Sequence, residues 1–288
     1  MKIDTAVLPI AGLGTRFVPL SKVIPKEFFP LGSKPIIQYI VEEALEAGIK
    51  KIVFVISPEK KEIFEKYILK YFKEDPDLLR ILKKRKKKAA IEALNSVPKI
   101  SKACFSRSTQ KIKYEYTVQQ KPLGDGDAIL KAEKFARNKP FLVLFGDDIS
   151  FNKKGAQMAT QLVKTFEKIQ KPLLCLYRKP EKELFAYGVP EIREIRGRLV
   201  QIRNLIEKPK KNPPSNFAIV GKYILTPDIF FYLKKIKLHN GEIILANAIK
   251  EMIKDKKEVL GLVVRGKWLE CGTREEWIKN FIFLAKNI

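Results

Sequence analysis

The sequence predicts an α/β fold: a Rossmann-like, mixed but mostly parallel sheet with flanking helices. Three observations predict it. Apolar runs recur at residues 5–10, 52–56 and 141–145, the mark of strands covered on both faces. Between the first two, Ile37, Ile40, Val41, Ala44 and Leu45 repeat at helical spacing, which gives the strand–helix–strand order of a parallel crossover. Glycine pairs follow strands, at Gly12 and Gly14 and again at Gly124 and Gly126. Open sheets of this kind hold ligands at such turns.

Composition bounds what this fold can do. At 288 residues, with no internal repeat or low-complexity linker, residues 1–288 are expected to form one domain with a basic helical insertion at about 75–111. The apolar share of 45% suffices for a core, and no apolar run reaches the roughly 18 residues of a membrane span. The start, Met1-Lys2-Ile3-Asp4, lacks the apolar stretch and small-residue cleavage site of a signal peptide. Cys104, Cys175 and Cys271 are odd in number and follow no pattern, which points to reduced thiols and a cytoplasmic location. The net charge is +25, from 57 basic and 32 acidic residues. Such a balance suits a partner of nucleic acid or anionic membrane, or else lysine-rich solvated faces. Lysines spread along the whole chain favour the second, so neither membrane nor nucleic acid is expected as a partner. His239 is the single histidine, beside Asn240-Gly241, and reads as a surface residue. Any chemistry here must therefore do without imidazole unless it uses His239.

The elements follow in order. Residues 5–10 read as a buried strand and 34–48 as a helix stopped by Gly48. Residues 52–56 are a strand, and Ser57-Pro58 opens a helix over 59–72. Residues 75–111 hold one or two helices around the basic run 83–88, read as a solvated helix face. Residues 112–118 alternate as a half-buried strand. The turn Leu123-Gly124-Asp125-Gly126-Asp127 opens a helix whose N-terminus favours anions, with Asp125 and Asp127 read as caps of that helix. Strands follow at 141–145, 173–177, 199–206, 218–225 and 259–264. The last helix, 274–285, is amphipathic through Trp277, Ile278, Phe281 and Leu284, for use in the core or at a subunit interface.

The chemistry begins at the first turn. Two glycines let backbone approach a ligand, and consecutive N–H groups there can cradle phosphate oxygens. Arg16 and Lys26 add full charges, one as a planar fork and one as a point charge. The turn is neither a Rossmann fingerprint, since Phe17 stands where a third small residue is required, nor a P-loop. Gly146-Asp147-Asp148 ends an apolar strand. Paired carboxylates there are costly unless they hold something positive, and Mg²⁺ is the natural occupant. Asp147 reads as the ligand, Asp148 as a cap of the next helix.

The stretch Ala11-Gly12-Leu13-Gly14-Thr15-Arg16-Phe17-Val18-Pro19-Leu20 through Ile24-Pro25-Lys26-Glu27-Phe28-Phe29-Pro30 to Lys34-Pro35-Ile36-Ile37-Gln38-Tyr39 closely resembles the signature of the sugar-nucleotide pyrophosphorylases. Within them the chain is most similar to the bacterial UTP–glucose-1-phosphate uridylyltransferases, in whose pattern a basic helical insertion falls at 75–111. The resemblance extends to about residue 277, through Gly146-Asp147, Glu207-Lys208-Pro209 and Gly221-Lys222-Tyr223-Ile224-Leu225. It implies a nucleotidyltransferase domain of the nucleotide-diphospho-sugar transferase type, with UTP and glucose 1-phosphate as substrates and Mg²⁺ as cofactor. It also implies roles: Arg16 and Lys26 catalytic; Ala11, Gly12, Gly14, Gln119 and Gly124 on the nucleotide, with Gln119 at the uracil edge; Gly188, Glu207 and Lys208 on the sugar phosphate; Asp147 and Glu270 on the metal. The family's dimers and tetramers leave a homo-oligomer possible. The chain departs from the pattern at Asp125 and Asp127 (Leu and His), Ile244 (Gln), Asn247 (Asp) and Glu270 (Asp). The resemblance leaves open a thymidylyltransferase, a uridylyltransferase for another sugar phosphate, and a basic nucleic-acid-binding protein without catalysis on this fold.

Overall fold

The computed structural model describes residues 1–68, 75–97 and 113–287. Expectations for Ile112, for Cys104 and the rest of 98–111, and for the end of the helix read over 59–72 lie outside those residues.

The strands are β1 (Thr5–Pro9), β2 (Pro30–Leu31), β3 (Lys34–Pro35), β4 (Lys51–Ile56), β5 (Lys113–Val118), β6 (Phe141–Leu144), β7 (Asp148–Phe151), β8 (Leu173–Arg178), β9 (Gly188–Arg196), β10 (Leu199–Glu207), β11 (Phe217–Leu225), β12 (Leu260–Val263) and β13 (Lys267–Glu270). Nine of them make one sheet in the order β5-β4-β1-β6-β11-β8-β12-β10-β9. β5, β4, β1 and β6 run parallel; β11 is antiparallel to β6 and β8, β12 is parallel to β8, and β10 is antiparallel to β12 and β9. Only β11 and β10 therefore oppose the rest, and the mixed, mostly parallel sheet is as the sequence predicts. β2 and β3 form a small hairpin, and β7 pairs with β13 in a separate ribbon.

The apolar runs are explained by burial on both faces. In β4, Ile52, Phe54 and Ile56 join the core on one side of the sheet, and Val53 and Val55 join the core on the other. Such a strand has no water-facing side on which alternation could be written. The helix Ile36–Glu46 runs back to β4 and ends before Gly48, where the backbone turns left-handed at φ 86°. The last helix, Arg274–Ala285, stands where expected, with Trp277 packed against Phe17 and Phe29 and Phe281 against Trp277. Ile278 departs from the expected face and is exposed, and the polar Asn280 is buried instead, donating to the Glu270 carbonyl at 2.6 Å.

Other expectations are corrected. Residues 58–68 form a 3-10 turn, one short α-turn (Lys61–Ile63) and a π-turn (Phe64–Ile68) rather than a continuous α-helix. The basic run is exposed and lies between two helices, as expected, but it straddles the break between Pro76–Lys84 and Lys88–Ser96 rather than lying along one helix face. Asp148 caps no helix. It begins β7, which pairs with β13 and so cannot open a helix. Asp125 and Asp127 do not cap their own helix, Asp125–Lys131: Asp125 accepts from the Leu245 N–H, and Asp127 from Gln119 and from Lys131 of the same helix. Among the described residues, no helix is long and apolar enough to cross a membrane.

Candidate active site

β1, β5 and β6 end on one cleft of about 520 Å³. Of the predicted residues, Ala11, Gly12, Lys26, Gln119, Gly124, Asp147, Glu207 and Lys208 line it, together with Thr15, Phe145, Glu242 and Ile244. At the turn after β1, a side chain on Gly12 would meet only open space, and Gly14 is left-handed at φ 65° and leads into the 3-10 turn carrying Arg16.

Lys26 reaches Asp147 across the cleft floor, Nζ to Oδ2 2.6 Å, and neither side chain is fully buried. The two shift each other. Burial alone would lower the Lys26 ammonium, but the charges of Asp147, Glu27 and Asp148 hold it above the usual lysine value. Burial alone would raise Asp147, but Lys26 and Arg16 hold its carboxyl below the usual range. Beneath them Glu27, 1% exposed, is paired with Lys60 at 3.0 Å, and Lys60 also donates to the Ile10 carbonyl at 2.7 Å. This pair locks the turn after β1 to the element after β4. Sequence reasoning missed Lys60, because its partners lie 33 and 50 residues away.

The β7–β13 ribbon sets Glu270 opposite Asp148 and beside Asp147. The Cys271 N–H donates to the Asp147 carbonyl at 2.7 Å and closes the junction. A Cβ on Gly272 would fall 3.3 Å from Asp147 Oδ2, 3.4 Å from Glu270 Oε1 and 3.4 Å from Arg16 Nη1. Gly272 thus leaves a space that two carboxylates and a guanidinium face. Asp147 and Glu270 offer the hard oxygen donors that a divalent cation takes. Arg16 is on this side of the site rather than in the cleft lining, with Nη1 3.5 Å from the Gly272 carbonyl. Tyr187 donates its hydroxyl to Glu270, whose acid is raised by burial. Asp148 sits behind, accepting from Trp268 Nε1 at 2.6 Å and the Gly221 N–H at 2.9 Å. Burial, then the neighbouring Asp147 charge, pushes it up to about 7.

At the other wall, Glu207 ends β10 opposite Gly188 in the β9–β10 pairing. A Cβ on Gly188 would lie 3.1 Å from Glu207 Oε2, so this glycine makes room for the carboxylate from outside the cleft lining. Lys208 is left-handed at φ 46°, and its ammonium stands 3.8 Å from Glu207 on the rim. Gly124 is held at φ 92°, and a Cβ there would strike the Ile243 carbonyl at 2.7 Å. Asp125 accepts from the Leu245 N–H at 2.9 Å, tying this turn to the helix Leu245–Lys254. Burial pushes Asp125 up to about 6. His239 is exposed on a bridge to Glu242, and Cys175 and Cys271 are free and buried.

A glycine turn, a Lys–Asp pair and a Glu–Lys pair thus stand around one cleft. The chain matches the Nucleotidyl transferase family over residues 5–287, and it belongs to that family. It is 36% identical over 290 residues to the UTP–glucose-1-phosphate uridylyltransferase of Bacillus subtilis (strain 168), covering 99% of this chain and 91% of that protein. It is 34% identical over 288 residues to the enzyme of the same name from Pseudomonas aeruginosa, covering 99% of this chain and 97% of that protein. Its structure resembles that of a UDP-glucose pyrophosphorylase complexed with UDP-glucose, with TM-score 0.82 and 31% identity, covering 99% of this chain and all of that one.

Proposed function

We propose that this enzyme transfers a uridylyl group from UTP to glucose 1-phosphate, giving UDP-glucose and pyrophosphate. The observation that carries the reading is the cleft itself. Lys26 with Asp147 faces Glu207 with Lys208 across about 520 Å³, so one space offers separate cations to two phosphorylated substrates.

In the proposed reaction, a phosphate oxygen of the sugar phosphate attacks the α-phosphorus of UTP in line, and the bond to pyrophosphate breaks. A phosphate monoester has a second pKa of about 6 and is mostly ionised at neutral pH, so the nucleophile needs no general base. That agrees with a site whose lining contains no histidine. The remaining demand is alignment and charge neutralisation. The Gly12–Gly14 turn would hold the triphosphate by its backbone amides, and Lys26 and Arg16 would stabilise the charge that develops on the departing pyrophosphate. Lys208 would hold the sugar phosphate in line, and Glu207 would bond sugar hydroxyls. Gln119 and Gly124 would frame the base. Asp147 and Glu270 would hold a divalent cation, Mg²⁺ in this reading, which when bound neutralises phosphate charge. The relatives named above, both uridylyltransferases for glucose 1-phosphate, support the substrate pair. We place the enzyme in the cytoplasm because three cysteines in no pairing pattern suit a reducing compartment.

The test is turnover to UDP-glucose and pyrophosphate in the wild type and in Lys26→Ala. Loss of one charged donor at the developing anion should lower turnover by about a hundredfold or more. Near-normal turnover in the variant would contradict the role given to this pair.

A further inference from the structure

Gln119 stands at the end of β5 on the cleft wall, 5% exposed. Its Nε2 donates to the Gly124 carbonyl at 2.9 Å and to Asp127 Oδ2 at 2.9 Å. A carbonyl and a carboxylate can only accept. Turning the amide end for end would press Oε1 against two oxygens, so its orientation is dictated by its partners. Oε1 accepts no hydrogen bond from the described residues. Asp127 is itself held. It is 3% exposed, and its Oδ1 is paired with Lys131 one helical turn on, at 3.2 Å. A carboxylate at this position therefore does more than tolerate the site. It consumes the amide's donor end and leaves the acceptor end for whatever enters.

We propose that Asp127 sets the polarity of the base-reading edge: through it, Gln119 offers a nucleobase an acceptor only, and so selects a base that donates at N3. Uracil and thymine carry N3–H, whereas cytosine presents a lone pair at N3 and would set acceptor against acceptor. The inference rests on the uridine-nucleotide reading of this cleft. It makes Asp127 a positioning residue for specificity, acting through Gln119 and touching no substrate atom.

The experiment compares UTP with CTP, by kcat/KM and by calorimetric binding without sugar phosphate, in the wild type, Asp127→Asn, Asp127→Ser and Asp127→Glu, with each variant's melting temperature recorded. Asn and Ser can donate as well as accept, so only the Gly124 carbonyl is left to oppose a turned Gln119 amide. The UTP-over-CTP ratio should fall about tenfold or more in either of these two, and Asp127→Glu, which can only accept, should keep it. A merely structural aspartate would lower both substrates together and leave the ratio alone. A folded Asn or Ser variant that keeps the wild-type ratio overturns the inference while the uridine reading stands. A wild type that does not distinguish UTP from CTP removes the uridine reading and this inference with it.

Discussion

Asp125 and Asp147 show how neighbours decide what a half-hidden carboxylate does. Asp147 has two cations beside it and is held low; Asp125 has none and is pushed up to about 6. An ordinary aspartic acid titrates near about 4. Between those values the folded protein holds a proton that the unfolded chain has released, so this group's contribution makes stability fall as pH rises through the window. Asp125→Asn keeps an acceptor for the Leu245 N–H and removes the titration. The variant's melting temperature should lose that part of the decline between about pH 4 and 6; parallel wild-type and variant curves would contradict the shift. The residues that carry the proposed chemistry were legible, because Arg16, Lys26 and Asp147 sit in runs of unusual residue order. Their supports were not. Lys60 meets Glu27 33 residues away, Tyr187 meets Glu270 83 away, and Trp268 meets Asp148 120 away. No local spacing records such a partner. The reading of Asp125 as a cap of its own helix failed for the same reason, since its acceptor serves the Leu245 N–H 120 residues away.

At the scale of elements, the helix Ile36–Glu46 is fixed beneath the site by a buried ion pair. Glu43, 3% exposed, takes Lys222 of β11 at 2.9 Å, Ser150 of β7 at 2.5 Å and the Ala159 N–H at 2.9 Å; Lys222, fully buried, also donates to the Asp148 carbonyl at 2.5 Å. One network thus joins two helices, a sheet strand and the ribbon that carries Asp148. Lys222→Met would leave Glu43 charged without its cation, and should destabilise the protein by roughly 3–5 kcal/mol. Urea unfolding checks this; a loss below about 1 kcal/mol would mean that the pair is not coupled to the fold. The ribbon was illegible because β7 is four residues long and begins on the carboxylate pair, which reads equally well as a cap. The exposed helices Pro76–Lys84 and Lys88–Ser96 were legible as helices, yet neither has a buried residue, so their apolar positions did not foretell packing.

At the scale of the molecule, the parallel half of the sheet was legible because strands buried on both faces read as apolar runs. The reversal of β11 and β10 was not, since an apolar run carries no direction. The charge of +25 suits phosphorylated substrates without identifying them. It belongs to a Nucleotidyl transferase with a phosphate-handling cleft, and the central claim is which two phosphates meet there. The most direct measurement is pyrophosphate release with Mg²⁺, crossing UTP and dTTP with glucose 1-phosphate and other sugar 1-phosphates. The account predicts rapid release with UTP and glucose 1-phosphate. Release only with another pair would contradict the substrate assignment, and none with any pair would contradict the catalytic reading altogether.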